Sequence, residues 1–380
     1  MDNANFSNED LDNFEPVAKI VVIGVGGAGN NAVNRMIDDN IQNVEFYVCN
    51  TDRQALATSK ATNRIALGGE MTKGLGAGGD PAVGKEAAEA NIDDIKKIVE
   101  GADMVFIAAG MGKGTGTGAA PVVARVAKEC GCLTVAIVTR PFRFEGQKRI
   151  ENSVQGLNAL REVVDSIIVV SNDKLLMTKG DLPMEAAFKE SDRILAQSVR
   201  TVVDIILIPA QINLDFADVK STLKNSGVAL IGYGVGKGEH CAEEATAAAL
   251  DSPLLEASVK GARRAICFAT CGPNVTLYEA QRCVAMVSEQ SGNAVDIKFG
   301  AAINPNPNLD GCLVLSVIAA DFEEEVDFGN IPDVKMPTSN REIAINRSQK
   351  EESDSKAEEE ESNGLLTGLL PDFLKDGSDE

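Results

Sequence analysis

The sequence predicts an α/β protein with two successive domains, and three observations lead to this prediction. Short apolar runs rich in β-branched residues recur along the chain, and runs with helical periodicity lie between them. Such alternation is typical of a parallel sheet with helices packed on both faces. A long helical run, 181–206, separates an earlier from a later group of strand candidates. The third observation is that two of the strand candidates are each followed by a glycine-rich stretch.

The first domain begins with a β-branched run at 19–24, which is typical of a strand buried on both faces. A glycine-rich stretch follows it, and we predict a helix over 31–38. A second helix is predicted over 119–129, after the second glycine-rich stretch. Further strands are predicted at 46–50, 103–109, 134–138 and 167–170.

The run 181–206 has apolar residues at spacings of three and four, including Phe188, Ile194 and Val202, so we predict a long, largely buried helix. Strand candidates of the second domain lie at 229–235, 265–269, 294–299 and 312–319. We divide the chain into an N-terminal arm (1–16), a nucleotide-binding domain (17–180), a central helix (181–208), a C-terminal α/β domain (209–321), an acidic linker (322–363) and a terminal peptide (364–380).

Charge is distributed unevenly along the 380 residues, whose formal net charge is −21. Residues 321–380 carry a net charge of −12 and residues 1–16 carry −5, which leaves −4 for the body of the chain. A near-neutral body lacks the basic footprint of a nucleic-acid-binding protein, so we expect no nucleic-acid partner. The linker 322–363 has few apolar residues and cannot offset the entropy of ordering, so we predict that it is disordered.

The eight cysteines are scattered without C-x-x-C spacing, and the one histidine is His240. Zinc sites need clustered ligands, so we predict reduced, buried thiols and no protein-held metal centre. The N-terminus has neither the basic nor the apolar region of a signal peptide, and no run approaches the roughly 20 apolar residues of a membrane span. We therefore expect a cytoplasmic protein without direct membrane insertion.

The two glycine-rich stretches, 24–31 and 110–118, predict a nucleotide site. Glycine lets the backbone approach a polyphosphate, and the N–H groups at a following helix start supply donors. The first stretch fits G-x-G-x-x-G with Asp52 further on, and alone it favours an NAD-dependent dehydrogenase. The second phosphate loop and the isolation of His240 argue against that class. The Walker pattern is also absent, because Gly114 follows Lys113.

Several motifs in order resemble the FtsZ family of bacterial cell-division GTPases, in the tubulin superfamily. Residues 112–118, G-K-G-T-G-T-G, resemble the signature G-G-G-T-G-T-G, with Lys113 at a usual glycine position. Residues 213–218 resemble the family's synergy loop, and 139–149, 172–176 and 370–375 are also similar to family motifs. The resemblance implies a tubulin-like fold, with a Rossmann-like parallel-sheet GTPase domain, a long central helix, a smaller α/β C-terminal domain and a disordered acidic tail ending in a docking peptide.

The resemblance implies that each subunit binds GTP or GDP together with Mg²⁺. Asp192 would accept hydrogen bonds from guanine N1 and N2, and Phe188 would stack on the base. From spacing alone, Phe188 is as readily a core aromatic and Asp192 a solvated helix position. The loop 73–80 would sense the γ-phosphate. The remaining expected nucleotide contacts are Gly27, Ala28, Gly29, Asn30, Asn31, Gly110, Met111, Gly112, Gly114, Thr115, Gly116, Thr117, Glu145, Arg149 and Asn172.

The resemblance also implies a head-to-tail homopolymer in which Asp215 and Asp218 act on the nucleotide of the next subunit, within a dynamic division ring at midcell. Heterologous contacts of this kind extend into filaments. From the sequence alone, the two aspartates could equally cap a helix that starts near Val219. Leu370, Phe373 and Leu374 would bind membrane-tethering and regulatory division proteins. An NAD-dependent dehydrogenase and a tubulin-like filament for DNA segregation remain alternatives.

Overall fold

The computed structural model describes residues 18–179, 183–251, 258–292, 294–323 and residue 328. These residues form an α/β protein around a ten-stranded sheet, in which a parallel part is followed by a mixed part. A parallel-sheet domain, a long helix and a smaller α/β domain succeed one another along the chain. The predicted fold class is therefore confirmed.

The first domain contains six strands. They are β1 (Ile20–Val25), β2 (Glu45–Asn50), β3 (Asn63–Ala66), β4 (Met104–Gly110), β5 (Leu133–Arg140) and β6 (Ser166–Ser171). All neighbours pair in parallel in the order β3-β2-β1-β4-β5-β6, which is the order of doubly wound nucleotide-binding sheets. The direction of winding changes between β1 and β4. Ligands of such sheets bind outside the carboxyl ends of the strands at that point.

Eight helices of the first domain are described. They are α1 (Gly26–Asp38), α2 (Arg53–Ala57), α3 (Gly69–Thr72), α4 (Pro81–Glu89), α5 (Ile92–Val99), α6 (Thr115–Glu129), α7 (Gln147–Arg161) and α8 (Asn172–Lys179). Both predicted helix starts are wrong, because α1 begins before residue 31 and α6 before residue 119. Glycine is a poor helix former, yet here the glycines themselves form the first turns, where their backbones pack against neighbouring loops.

The central helix, α9 (Met184–Leu207), has 24 residues and is therefore about 36 Å long. The predicted helix 181–206 agrees with it where the chain is described. Its buried face includes Leu195, Val199 and Val202, which lie in one core with strands of both domains. The helix thus spans the molecule from the nucleotide-binding edge toward the second domain.

The second domain contains α10 (Phe216–Leu223), β7 (Gly227–Lys237), α11 (Cys241–Leu250), β8 (Ala262–Cys271), α12 (Leu277–Ser291), β9 (Asp296–Ile303) and β10 (Cys312–Phe322). Strand β7 extends the first sheet through two parallel pairs with β6. Beyond it the order is β7-β10-β8-β9, with β10 antiparallel to both of its neighbours and β9 parallel to β8. All four strands were predicted, and each is longer than its apolar run.

Phe328 is buried although it lies in the linker that the sequence predicts to be disordered. Its ring is 1% exposed and packs in the core under the first sheet, with the Arg161 guanidinium 5.7 Å from the ring centroid. The prediction is wrong at this residue, because a single apolar side chain finds a place in an existing core. The other residues of 324–363 lie outside the described residues.

The eight cysteines are free thiols, seven of them buried, as the sequence predicts. Burial raises the pKa of the Cys49 thiol to about 12. Among the described residues, no group of three or more His, Cys, Asp or Glu side chains is placed to hold a metal ion. In the same part of the chain, no helix has both the length and the apolar character needed to cross a bilayer.

Candidate functional site

The two glycine-rich loops meet at the carboxyl edge of the sheet, because β1 and β4 are neighbours. Gly26 has φ +73°, and a Cβ built on it would lie 2.8 Å from the backbone nitrogen of Gly116. Only glycine allows the first turns of α1 and α6 to approach this closely. The result is one cradle lined by the N-terminal turns of two helices, which is a favourable environment for phosphates.

Hydrogen bonds fix the shape of the second loop. The Met111 N–H donates to the Thr139 carbonyl over 2.9 Å, and the Gly112 N–H donates to Thr117 Oγ1 over 2.8 Å. These donors are therefore occupied, and the buried Met111 and Thr117 side chains support the loop. The N–H groups of the first turn of α6, at Thr115 and Gly116, are the ones best placed for phosphate oxygens.

Asn30, in the first loop, faces inward rather than toward a ligand. In the amide orientation that matches donors to acceptors, its nitrogen donates to the carbonyls of Gly24 (3.0 Å) and Gly26 (2.9 Å). Its oxygen accepts from Asn50 Nδ2 over 3.2 Å. The side chain, 3% exposed, thus holds the glycine turn in place, and any contact of Asn30 with a nucleotide would have to come from its backbone. Gly27 is exposed on the cleft side of the same turn.

The loop 73–80 lies beside the second glycine-rich stretch and the end of β2. Asp52 pairs with Leu75 through an isolated bridge, and Gly114 packs so closely on Asp80 that a Cβ would lie 3.0 Å from its backbone. Thr51 Oγ1 and Thr115 Oγ1 are 2.7 Å apart at the start of α6. This arrangement brings the loop next to the first turn of α6, and a role of the loop at the terminal phosphate stays a prediction.

Asp192 lies on α9, close to Asn31 of the first glycine-rich stretch and Lys113 of the second. Burial raises the pKa of its carboxyl to about 7, while a hydrogen bond with Asn31 and the charge of Lys113 act to lower it. Lys113 does not have positive φ, so lysine at this glycine position carries no left-handed strain. Its charge instead reaches the carboxylate expected to bind guanine. The structure therefore groups Asn31, Lys113 and Asp192 at one end of the site.

Three phenylalanines form an aromatic wall near this end. Phe142 stacks on Phe144 with ring centroids 5.0 Å apart, and it meets Phe188 edge-to-face at 5.2 Å. Phe188 is 36% exposed, so it is not a buried core residue, and part of its ring surface remains accessible. Such a surface suits a stacked base.

The remaining predicted contacts differ in how far they are exposed. Glu145 forms an ion pair with Arg149, and Glu145 Oε1 also accepts from the Phe142 N–H. Asn172 is buried, and its Oδ1 accepts from Ser191 Oγ over 2.7 Å. Its amide group therefore links α8 to α9 beneath the cleft. Gly29 is buried, Ala28 and Gly110 are partly exposed, and Leu370, Phe373 and Leu374 lie outside the described residues.

Asp215 and Asp218 form a capping box at the start of α10. Asp215 Oδ1 accepts from the Asp218 N–H over 2.9 Å, and Asp218 Oδ2 accepts from the Asp215 N–H over 3.2 Å. Lys298 Nζ donates to Asp218 Oδ1 over 2.8 Å, and this hydrogen bond is the main reason that the pKa of Asp218 is lowered. The capping interpretation of the sequence is correct in itself. It leaves Asp215 exposed and Asp218 partly exposed.

The structure does not bring these aspartates to the cradle. Asp192 is followed by 15 further residues of α9, which span about 22 Å before the loop that carries Asp215 begins. The two groups of predicted site residues therefore lie at opposite ends of the central helix.

Comparison with known proteins agrees with this architecture. Residues 19–179 match the Tubulin/FtsZ family GTPase domain, and residues 227–323 match the FtsZ family C-terminal domain. An empty FtsZ dimer from M. jannaschii is 39% identical with a TM-score of 0.77, and the match covers 87% of this chain and 98% of that one. CetZ1 from Haloferax volcanii, a GDP-bound monomer, is 22% identical with a TM-score of 0.71 over 82% of this chain and 97% of its own. A GTPγS-bound CetZ2 protofilament from the same organism is 21% identical with a TM-score of 0.69, over 90% and 99%.

The fold and the paired glycine loops define a GTPase domain of the tubulin superfamily. With an FtsZ-type domain following it and 39% identity to an FtsZ, the chain belongs to the FtsZ family. The likeness to the CetZ structures, at about a fifth identity, extends to the fold alone.

Sequence reasoning missed two residues. Thr51, buried after the end of β2, contacts the Thr115 hydroxyl at the start of α6, and Lys298 binds Asp218 from 80 residues away. A threonine directly after a parallel strand is a usable signal for Thr51, since carboxyl ends of strands share one edge. Nothing local marks Lys298, because its role depends on pairing between distant segments.

Proposed function

We propose that this chain is a GTP-dependent, filament-forming GTPase that hydrolyses GTP at the contact between successive subunits. One observation carries the proposal, namely the separation of the cradle from Asp215 and Asp218 along α9. Asp52 and Asp80, described carboxylates beside the second glycine loop, cap α2 and α4, whereas the residues that resemble the family's synergy loop, 213–218, are missing from the cradle of their own subunit. A second copy stacked head-to-tail would supply the missing groups.

Self-association is supported by the related structures, of which one is an FtsZ dimer and another a CetZ protofilament. A head-to-tail contact uses different surfaces on the two partners, so it propagates. Each subunit would then carry half of two active sites. Assembly would follow GTP binding, and hydrolysis would weaken the contact.

Catalysis in such a site consists mainly of positioning and charge neutralisation. The N–H groups at the starts of α1 and α6 would hold the phosphates, and Asp192 with Asn31 would hold guanine. Asp215 and Asp218 of the neighbouring subunit would orient the attacking water. Mg²⁺ usually keeps several waters and binds substrate phosphates, and the Thr51 and Thr115 hydroxyls offer oxygen donors that suit it. When bound, the ion would spread the charge of the phosphates.

A role in the division ring at midcell is the finer part of the proposal. It is supported by the FtsZ-type second domain and by the terminal residues 370–375, which resemble a docking peptide for membrane-tethering and regulatory division proteins. The similarity to CetZ makes another tubulin-like role, including DNA segregation, the second candidate. NADH binding separates both candidates from a dehydrogenase, because a dehydrogenase would enhance the fluorescence of NADH, and we expect no such enhancement from this chain.

The guanine contact gives a prediction on pH. Asp192 must be ionised to accept from N1 and N2 of guanine, whereas burial raises its pKa to about 7 in the nucleotide-free protein. We expect GTP affinity to fall by about tenfold for each pH unit below that value, because a proton must first be removed. Titration calorimetry between pH 8 and about pH 6 measures this trend.

Asp192→Asn is the matched control, since asparagine has the shape of aspartate but does not titrate. Any pH dependence of GTP binding that remains in this variant comes from the phosphates of GTP. The variant should bind GTP weakly and lose the additional slope. Protonation of Asp192 affects the free energy of unfolding of the empty protein in the opposite direction to its effect on GTP affinity. Because the folded, empty protein binds the extra proton between pH 3.8 and about 7, its stability contribution is lost as pH rises through that window. Identical pH profiles for the two proteins would contradict the assignment of Asp192.

A further inference from the structure

The loop that carries Asp215 is held by β9, the last strand of the sheet. Ile212 and Ala301 exchange two backbone hydrogen bonds, of 3.1 and 3.0 Å, in an antiparallel bridge. The Ile303 N–H donates to Gln211 Oε1 over 2.7 Å. Leu214 packs over Gly300, where a Cβ would lie 2.9 Å from its side chain. The loop is thus attached along β9 at several successive positions.

Lys298 extends this attachment to Asp218. Its ammonium donates to Asp218 Oδ1, while Oδ2 of the same carboxylate accepts from the Asp215 N–H. Both oxygens are therefore engaged, which fixes the orientation of the carboxylate. The contact is only partly exposed, with side-chain exposures of 27% for Lys298 and 32% for Asp218. A partly shielded, charge-assisted hydrogen bond of this length is stronger than an ordinary surface ion pair.

The charges around Lys298 reinforce the arrangement. The pKa of Lys298 is raised, first by its hydrogen bond with Asp218 and further by the charges of Asp296 and Asp215. The pKa of Asp218 is lowered by the same bond, so the carboxylate stays ionised. A carboxylate held in this way is a weak proton acceptor. Its contribution to hydrolysis would be to orient and polarise water rather than to remove its proton.

We propose that Lys298 is a positioning residue for GTP hydrolysis, which fixes the orientation of the Asp218 carboxylate toward the nucleotide of the next subunit. This inference rests on the proposed function of Asp218. Lys298 acts through Asp218 and does not itself need to reach the nucleotide. The inference rests on the hydrogen bond between Lys298 and Asp218, which are 80 residues apart in sequence, and on the attachment of the loop to β9.

The test compares Lys298→Met with Lys298→Arg in the full-length protein. Lys298→Met should lower phosphate release per polymerised subunit by about 10- to 100-fold, because a misplaced catalytic group loses that much. GTP affinity of the isolated subunit and the polymerisation threshold should not change. Lys298→Arg, which keeps the charge and the donor, should restore most of the turnover. Lys224→Met is the control, since it removes a lysine charge at the end of α10 without touching Asp218.

A double-mutant cycle shows whether Lys298 acts through Asp218. In an Asp218→Asn background, Lys298→Met should have no further effect on turnover. Equal losses in both backgrounds, or a change in the threshold with normal turnover per polymerised subunit, would overturn the inference. If Lys298→Met has normal turnover while Asp218→Ala is inactive, the positioning role of Lys298 is rejected and the proposed function of Asp218 stands. Normal turnover of Asp218→Ala would instead reject the proposed function.

Discussion

Asp218→Ala should bind GTP as tightly as the unmodified chain and lose at least about 99% of its turnover. Binding should survive because Asp218 lies beyond the end of α9, and the 15 residues of that helix after Asp192 alone span about 22 Å. Turnover should fall because a positioned group that acts on the attacking water contributes about 10²- to 10⁴-fold. Phosphate release and GTP titration on the same preparation measure both quantities.

The capping role of Asp218 requires a control. Asp218→Ala keeps the N-cap bond to Asp215 but leaves the Asp215 N–H without its acceptor in the box, which could disturb the loop without any catalytic effect. Asp218→Asn keeps an acceptor for the Asp215 N–H and removes only the charge. We expect it to lose the charge-assisted bond with Lys298 and with it some thermal stability, to remain folded at the assay temperature, and still to be nearly inactive. An active Asp218→Asn would mean that the capping geometry matters and the charge does not.

Gly26→Ala should abolish measurable GTP binding. The substitution places an L residue at φ +73° and a Cβ 2.8 Å from the Gly116 nitrogen, so the two loops must separate. Left-handed backbone alone costs about 1–2 kcal/mol. Displacement of the phosphate donors by about 1 Å can cost a further 100-fold in function. Calorimetric titration with GTP, together with thermal unfolding, measures the effect.

Gly27→Ala is the matched control for this substitution. Gly27 has no positive φ, and a Cβ built on it has nothing within 4 Å. Its thermal stability should therefore equal that of the unmodified chain, and any loss of GTP affinity would report the nucleotide itself approaching Gly27. Wild-type GTP affinity in Gly26→Ala would show that the contact between the loops does not shape the site.

The strands and the two glycine loops could be predicted because their signals are local. Buried parallel strands such as β1 and β4 are continuous β-branched or apolar runs, and the loops that follow them are rich in glycine. The helix starts at Gly26 and Thr115 could not be predicted, since glycine disfavours helix and only the packing of one loop on the other overrides that preference. Strand β3 was missed because it has only four residues, Asn63–Ala66, of which two are polar and three are exposed.

The site was predicted in outline, largely through family resemblance, and its details depend on long-range contacts. The sequence does not show that Asn30 points into the turn, or that the Met111 N–H is used by Thr139. Nor does it show that Asp218 is bound by Lys298. Each of these follows from backbone positions that only the folded sheet brings together.

The most direct measurement is phosphate release from GTP and ATP, with Mg²⁺, across a series of protein concentrations, with light scattering recorded in parallel. If the active site is completed by a neighbouring subunit, release should be specific for GTP. It should also begin above a threshold concentration at which scattering rises. Release from GTP that is simply proportional to protein concentration, without scattering, would place all catalysis within one subunit and contradict the account.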